Sequence, residues 1–291
     1  MRDSIKQYQE LVGSCLRSAL PVENRYFKTI YEAMNYSLSA GGKRIRPVLM
    51  QLAYEAVGGS EDISAYLCAI EMIHTYSLIH DDLPAMDDDA LRRGMPTNHV
   101  VFGEAAAILA GDALLTEAFR YMLEDALKYG GAQRVRAAYI LSQASGVKGM
   151  IGGQILDIES ENKTIDLTTL NAIQLHKTGA LIAAATKMGA VLGGGTEEEI
   201  EALENYGLFI GKTFQIIDDI LDETSTDEEL GKPIKSDQKN HKNTYLSFYT
   251  VEQCYEIAGT LTDKALSSLD VLKGNTLLLK EIAAELIKRR S

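Results

Sequence analysis

Five aspartates fall within nine residues of the stretch IHDDLPAMDDD: Asp81, Asp82, Asp87, Asp88 and Asp89. The preceding pattern, AYLCAIEMIHTYSLIHDD, places Ile70, His74, Ser77 and Asp81 on one helix face, at intervals of four, three and four. Pro84 then disturbs the helix. Carboxylates gathered without a counter-charge raise one another's pKa and weaken the fold. A divalent cation removes that repulsion. An all-oxygen donor set suits Mg²⁺, which keeps several waters and bridges phosphates. Taken alone, the run is equally well read as a solvated acidic loop.

A second cluster lies 137 residues after Asp81, in FQIIDDILDE. Asp218 and Asp222 are four apart and share a helix face; Asp219 lies beside them. Phe214, Ile216, Ile217, Ile220 and Leu221 surround them, more hydrocarbon than an exposed charged face carries. Two acidic pairs on apolar helices point to carboxylates facing each other across a cavity, with Mg²⁺ ions and a polyanion between them. Basic residues supply the complement. GGKRIRP holds Lys43, Arg44 and Arg46, and LRRG holds Arg92 and Arg93. LHKTGAL holds Lys177 and Thr178, and GKPIKSDQKNHKN holds Lys232, Lys235, Lys239 and Lys242. Each alone is ordinarily a solvated surface charge. Together they offer guanidinium forks and ammonium groups for a substrate with two pyrophosphates.

The elements that must position these groups read as helices. Apolar residues recur at three- and four-residue spacing over 24–38, 43–57, 64–82, 103–127, 132–160, 168–192, 197–223, 250–270 and 275–290. No convincing alternating strand appears. Thr196 and Glu199 form a capping box, and the acidic run Glu197–Glu199 suits a first helical turn. Gly58-Gly59, Gly130-Gly131 and Gly193–Gly195 separate helices rather than domains. With 46% hydrophobic residues over 291 positions, a large core is available, and one all-α domain over 1–291 is expected. A net charge of -12 argues against general nucleic-acid binding. Three widely spaced cysteines fit a reducing compartment. No signal peptide and no apolar run of membrane-spanning length is apparent, so a cytoplasmic location without stable membrane insertion is expected.

GGKRIRP, DDLPAMDDDALRRG, LHKTGAL and FQIIDDILD, in this order from residue 41 to about 245, resemble the motifs of bacterial trans-prenyltransferases of the farnesyl diphosphate synthase type. The resemblance implies an all-α bundle with a central cavity, of the isoprenoid synthase kind. It also implies a homodimer that joins isopentenyl diphosphate to an allylic diphosphate using Mg²⁺, three ions in all. By that resemblance, Asp81, Asp87 and Asp218 bind metal. Asp82 and Asp88 orient waters or neighbouring ligands, and Asp219 and Asp222 support Asp218. Arg92, Lys177, Gln215, Lys232 and Lys242 surround the allylic diphosphate. Lys43, Arg46, His74 and Arg93 bind isopentenyl diphosphate. Thr178 and Gln215 stabilise the allylic cation. The bland alternative for His74 is a satisfied core histidine.

The resemblance also bears on product length. Tyr76 stands five residues before Asp81, where an aromatic residue in the family stops growth at the farnesyl length. The four residues between Asp82 and Asp87 fit the same subgroup. Helix arithmetic puts Tyr76 about 140° from Asp81 and Ser77 only about 40° away. Ser77 is too small to block a tail, and Tyr76 is equally readable as a core tyrosine. A farnesyl product is expected, with geranylgeranyl or geranyl diphosphate as alternatives. Lys212, and Lys235 within Ile234-Lys235-Ser236, depart from the family's pattern. Three rival readings differ in chemistry. A di-iron bundle would need a second element like Glu71-x-x-His74, and none is found. A terpene cyclase would have no use for Lys43 and Arg46 as a second diphosphate site. A non-catalytic binding subunit would be expected to lack acidic motif residues that are present here.

Overall fold

The computed structural model describes residues 2–21, 25–224 and 243–288. Its helices are α1 (Arg2–Ala19), α2 (Lys28–Ser39), α3 (Ile45–Ala56), α4 (Ser64–Asp81), α5 (Asn98–Phe102), α6 (Glu104–Tyr129) and α7 (Ala132–Ser145). There follow α8 (Met150–Ser160), α9 (Leu167–Gln174), a π-helical turn Leu175–Gly179, α10 (Ala180–Leu192), α11 (Glu197–Thr224), α12 (Val251–Ser268) and α13 (Leu277–Ile287). The only sheet among the described residues is a hairpin of β1 (Leu91–Arg92) and β2 (Met95–Pro96). Two-residue strands are too short to leave an alternating pattern, which is why none was expected.

Most boundaries lie close to those expected from spacing. The capping box forms: Thr196 N–H donates to Glu199 Oε2 at 2.8 Å, and Glu199 N–H donates to Thr196 Oγ1 at 3.2 Å. Two long patterns are interrupted. The expected 132–160 helix breaks between Ser145 and Met150, where Gly146 and Gly149 supply poor helix formers. The expected 168–192 helix runs through, but carries the π-helical turn in its middle.

The chain forms two compact units. The first comprises Met1–Gln51 and Glu61–Ala138. In it, α4 packs along α6, whose buried face is Ala107, Ala110, Gly111, Leu114, Ala118 and Met122. Small side chains at three- and four-residue spacing let the two helices approach closely. Glu71 of α4 is buried within this apolar setting, and Arg44 Nη1 donates to its Oε1 at 2.6 Å. Arg44 Nη2 donates to the Leu38 carbonyl.

The second unit comprises Leu52–Ser60 and Tyr139–Ser291. Here α11 packs against α10 and α12. Leu170, Ile216, Ile217, Ile220, Leu221 and Tyr245 belong to its apolar core. Tyr206, fully buried on α11, donates its hydroxyl to the Leu279 carbonyl at 2.7 Å and ties α13 to this unit.

The Arg44–Glu71 pair gives a stability prediction. Removing one partner leaves the other charge buried and uncompensated, which costs about 3–5 kcal/mol. Glu71→Ala is expected to lose stability on that scale in urea unfolding; a loss below about 1 kcal/mol would show that the pair is not buried in solution.

Candidate functional site

The first unit gathers its basic groups by a turn and a loop. Leu91 pairs with Pro96 and Arg92 with Met95, leaving Arg93 and Gly94 as a two-residue turn. Their φ angles are +55° and +75°, the sign pattern of a type I′ turn, the connection favoured by strand twist. Gly94 adopts this freely, whereas Arg93 does so at a cost of order 1 kcal/mol. Arg93 Nη1 donates to the Gly41 carbonyl, which anchors the strained residue against the GGKR loop. Arg92 is held from the other side. Its Nε and Nη2 lie 2.6 and 2.5 Å from Asp82 Oδ1, and Nη2 lies 3.5 Å from Asp89. Asp82 is buried, so its observed partner is this guanidinium, where the resemblance implied a water or a neighbouring ligand.

His74 sits in an arginine field. Burial holds its imidazole well below the ordinary histidine range, and the charges of Arg46, Arg93, Arg92 and Arg44 act in the same direction. Both effects favour the neutral imidazole. Arg46 is pushed down to about 10, chiefly by burial, with Glu71 opposing and Arg93 reinforcing. Its Nε is buried with no hydrogen-bond partner. Glu71 answers Arg44 and Asp82 answers Arg92. No ion pair among the described residues answers Arg46 or Arg93. Lys43 is exposed on the same loop, its carbonyl accepting from Gln9 Nε2 of α1 at 2.7 Å. Lys43, Arg46, His74 and Arg93 thus belong to one positively charged neighbourhood of the first unit.

The first acidic motif lies where α4 ends. Asp81 is the last helical residue, and the Asp87 N–H donates back to its carbonyl at 2.9 Å. The Asp88 N–H donates to the Leu83 carbonyl at 3.1 Å, with Asp88 at φ +52°. This closed turn brings the Asp81 and Asp87 backbones together, with both residues half-buried. Among the described residues, no three acidic, histidine or cysteine side chains form a ready-made metal cage. Mg²⁺ does not require one, because it takes one or two carboxylates and completes its octahedron with water and phosphate oxygens. Paired, half-buried carboxylates on a tight turn fit that requirement. Upstream on α4, Tyr76 is buried, its ring edge-on to His80 and its hydroxyl without a hydrogen-bond partner. Ser77 is half-buried and donates to the His74 carbonyl at 2.9 Å.

The second unit organises its polar groups around Asp219. That buried carboxylate accepts from Tyr245 N–H at 2.9 Å, Gln215 Nε2 at 3.0 Å and Gln174 Nε2 at 3.3 Å. Gln215 Oε1 in turn accepts from Thr178 Oγ1 at 3.2 Å. Thr178 and Lys177 lie in the π-helical turn, a geometry frequent at functional sites because it re-aims side chains within a helix. Lys177 Nζ lies 2.5 Å from Asp157 of α8. Gly153 permits this packing, since a Cβ there would lie 2.2 Å from the Lys177 backbone nitrogen. Asp218 is half-buried on α11, one turn before buried Asp222. Lys212 Nζ lies 5.8 Å from the Tyr245 ring centroid; burial lowers its pKa, and Lys264 adds to the shift. Lys232, Lys235, Lys239 and Lys242 lie outside the described residues.

Comparison with known proteins gives this arrangement a family. The polyprenyl synthetase model matches residues 27–271. The chain belongs to the polyprenyl synthetase family. It is accordingly a prenyltransferase, with the all-α isoprenoid synthase fold. It is similar to the geranylgeranyl diphosphate synthase of Cyanophora paradoxa, at 44% identity over 97% of this chain and 94% of that one. It is also similar to the large subunit 1 of a heterodimeric chloroplastic geranylgeranyl pyrophosphate synthase of Arabidopsis thaliana, at 47% identity over 89% and 71%. Among solved structures it resembles an FPP/GFPP synthase of Zymomonas mobilis, with a TM-score of 0.87, 34% identity and 98% of each chain covered.

Within this polyprenyl synthetase, several residues that shape the site were not expected from sequence. Glu71, Asp157 and Gln174 hold Arg44, Lys177 and Asp219 respectively. The sequence signal for Glu71 was a carboxylate set into the apolar face of α4, three residues before His74. Its engagement with Arg44 also removes the di-iron reading, which needs that glutamate as a metal ligand. Asp157 and Gln174 carry no such signal, because their partners are distant in the chain.

The neutral state of His74 has a measurable consequence. The unfolded chain protonates this histidine below its ordinary pKa of about 6.5, while the folded chain resists. Stability from this group is present above that pH and is lost as pH falls through it. Wild-type protein is therefore expected to lose stability from pH 7.5 to 5.5, and His74→Asn to flatten that loss. An identical pH dependence in both would mean that His74 is protonated in the folded protein.

Proposed function

We propose that this prenyltransferase condenses isopentenyl diphosphate with an allylic diphosphate by ionisation, condensation and elimination, and that its product is geranylgeranyl diphosphate. The observation that carries the reaction is the juxtaposition in the first unit of an acidic turn and an arginine cluster. Asp81 and Asp87 supply oxygen donors suited to Mg²⁺. Lys43, Arg46, Arg93 and neutral His74 supply positive charge and a hydrogen-bonding ring for the diphosphate of the attacking substrate. A terpene cyclase needs no such second anion site. A binding subunit would be expected to lack the acidic residues.

In this reading the allylic C–O bond breaks heterolytically, leaving an allylic cation and pyrophosphate. Asp81, Asp87 and Asp218 would each hold Mg²⁺, three ions in all, which would supply charge stabilisation at the leaving diphosphate. Arg92 and Lys177 add to it; Lys232 and Lys242 share that proposed role. Arg92 and Lys177 are already oriented by Asp82 and Asp157, so less freedom is lost when phosphate binds. The Thr178 hydroxyl, which donates to Gln215 Oε1, and the Gln215 amide, which donates to Asp219, would offer their dipoles to the cation. The alkene attacks, and a proton leaves to the released pyrophosphate. A homodimer and a cytoplasmic location remain part of the proposal. The described residues include no helix long and apolar enough to cross a membrane.

Product length is where the reading moves from the sequence expectation. The farnesyl expectation rested on Tyr76. Relatives at 44–50% identity are named as geranylgeranyl synthases, which favours the longer product. The solved neighbour from Zymomonas mobilis, at lower identity, is named for farnesyl and longer products. A second reading, farnesyl diphosphate, is favoured by one observation: Tyr76 is buried on α4 with an unpartnered hydroxyl, as a ring closing an apolar channel would be.

Incubation with Mg²⁺, isopentenyl diphosphate and geranyl diphosphate, followed by mass spectrometry, decides both points. Geranylgeranyl diphosphate is the expected product, and Tyr76→Ala is expected to leave its length unchanged. A wild-type reaction that ends at farnesyl diphosphate, and lengthens in Tyr76→Ala, would restore Tyr76 as the floor. Asp81→Ala and Asp218→Ala are each expected to lower turnover by about 100-fold or more, the scale of losing charge stabilisation at a leaving group. Near-normal turnover in either would remove that residue from the metal site.

A further inference from the structure

His80 has no part in the chemistry derived above, yet it is held on several sides. It stands in the last turn of α4, immediately before Asp81. Its Nε2 lies 3.0 Å from the Ile108 carbonyl oxygen of α6. A carbonyl only accepts, so the contact assigns the ring proton to Nε2. That oxygen has two lone pairs and can serve its own helix as well. Asp112 Oδ1, 4.0 Å from Nε2, is too far to compete for the proton.

Helix α6 is shaped to receive this ring. Gly111 is buried on α6, and a Cβ there would collide with His80 Nε2 and lie 2.5 Å from its Cδ2. Carbon atoms pack at about 3.5–4.0 Å, so a side chain at 111 would drive the imidazole from its place. Gly111 is not among the residues with positive φ, so no turn requires it. A glycine inside a helix costs about 1 kcal/mol relative to alanine, and close approach is what it provides here. From its own helix, Tyr76 sets its ring edge-on to the imidazole, with 5.8 Å between centroids and 76° between planes.

We infer that His80 is a positioning residue: it fastens the final turn of α4 to α6, so that Asp81 presents its carboxylate to Mg²⁺ in a fixed direction. The inference rests on the proposed assignment of Asp81 to the metal. A helix frays in its last turn, where intrahelical hydrogen bonding runs out. A functional group placed there needs outside support, since productive geometry tolerates only about 0.5 Å of drift. The neighbouring ties act beyond the helix: the Asp87 N–H closes onto the Asp81 carbonyl, and Arg92 clamps Asp82. His80 supplies the tie from the last turn to the helix packed alongside it.

Three variants separate this role from general packing. His80→Phe keeps a ring against Tyr76 but cannot donate. Gly111→Ala leaves the imidazole intact and displaces it. His80→Gln keeps an N–H donor of similar reach. Mn²⁺, a paramagnetic substitute for Mg²⁺, is titrated into full-length protein saturated with inorganic pyrophosphate and followed by electron paramagnetic resonance, beside the Mg²⁺ dependence of turnover. His80→Phe and Gly111→Ala are each expected to weaken metal binding about tenfold, the scale of losing an outer support of a metal ligand. His80→Gln is expected to restore most of the affinity. The double variant His80→Phe, Gly111→Ala should bind no more weakly than the worse single, because both remove one contact. The KM for isopentenyl diphosphate, whose proposed site is the arginine cluster, should stay unchanged throughout. Should Gly111→Ala fail to fold, the two His80 variants decide alone. Unchanged Mn²⁺ affinity in His80→Phe beside weakened affinity in Asp81→Ala would overturn the positioning role only. Unchanged affinity in Asp81→Ala would overturn the metal assignment and the inference with it. A parallel loss of metal affinity and rise in KM for isopentenyl diphosphate would reduce His80 to ordinary packing.

Discussion

Charge placed in partly buried surroundings must be answered, and that constraint organises both units of this protein. Removing an ion from water costs several kcal/mol unless a partner compensates it. The carboxylates of Glu71, Asp82 and Asp157 provide that compensation for Arg44, Arg92 and Lys177. The result is a set of cations held in fixed orientations before any substrate arrives. A free guanidinium would lose about 2 kcal/mol of rotamer entropy on binding phosphate; one already clamped loses less. The acidic excess of the chain therefore serves two ends, since some carboxylates orient cations and others offer oxygen to metal.

Local backbone irregularity is concentrated where these groups act. Arg44, Asp88 and Arg93 have positive φ without being glycine, and each lies in or beside a motif that carries charge. The π-helical turn at Leu175–Gly179 carries Lys177 and Thr178. Strain of this kind costs of order 1–3 kcal/mol per residue and persists only where neighbours over-determine it. The neighbours are identifiable: Glu71 and the Leu38 carbonyl at Arg44, the Gly41 carbonyl at Arg93, and Asp157 at Lys177. Direction of a side chain is obtained here at the expense of backbone comfort.

Helix α4 joins several of these themes. It carries Glu71, His74, Tyr76 and Asp81 within about three turns. Its packing along α6 makes it rigid, and a rigid helix holds functional groups more closely than a loop does. The buried Tyr76 and the half-buried Ser77 next to it show how one residue of rotation changes what a side chain meets.

Helical class, most element positions and the membership of the acidic and basic motifs were legible in the sequence. They rest on local periodicity, on caps such as Thr196 with Glu199, and on charge set against apolar surroundings. The hairpin at 91–96 was not legible, because two-residue strands leave no periodic trace. The π-helical turn was not legible either, since its apolar spacing matches an ordinary helix. The roles of Asp82 and Asp219 were decided only in three dimensions. Both read as motif aspartates like their neighbours, yet each turns inward to hold other side chains rather than presenting oxygen to solvent. The reason is physical. A residue's spacing fixes the helix face from which it projects, while the partner that determines its charge and orientation comes from another segment. That pairing belongs to the packing, and sequence neighbours do not encode it.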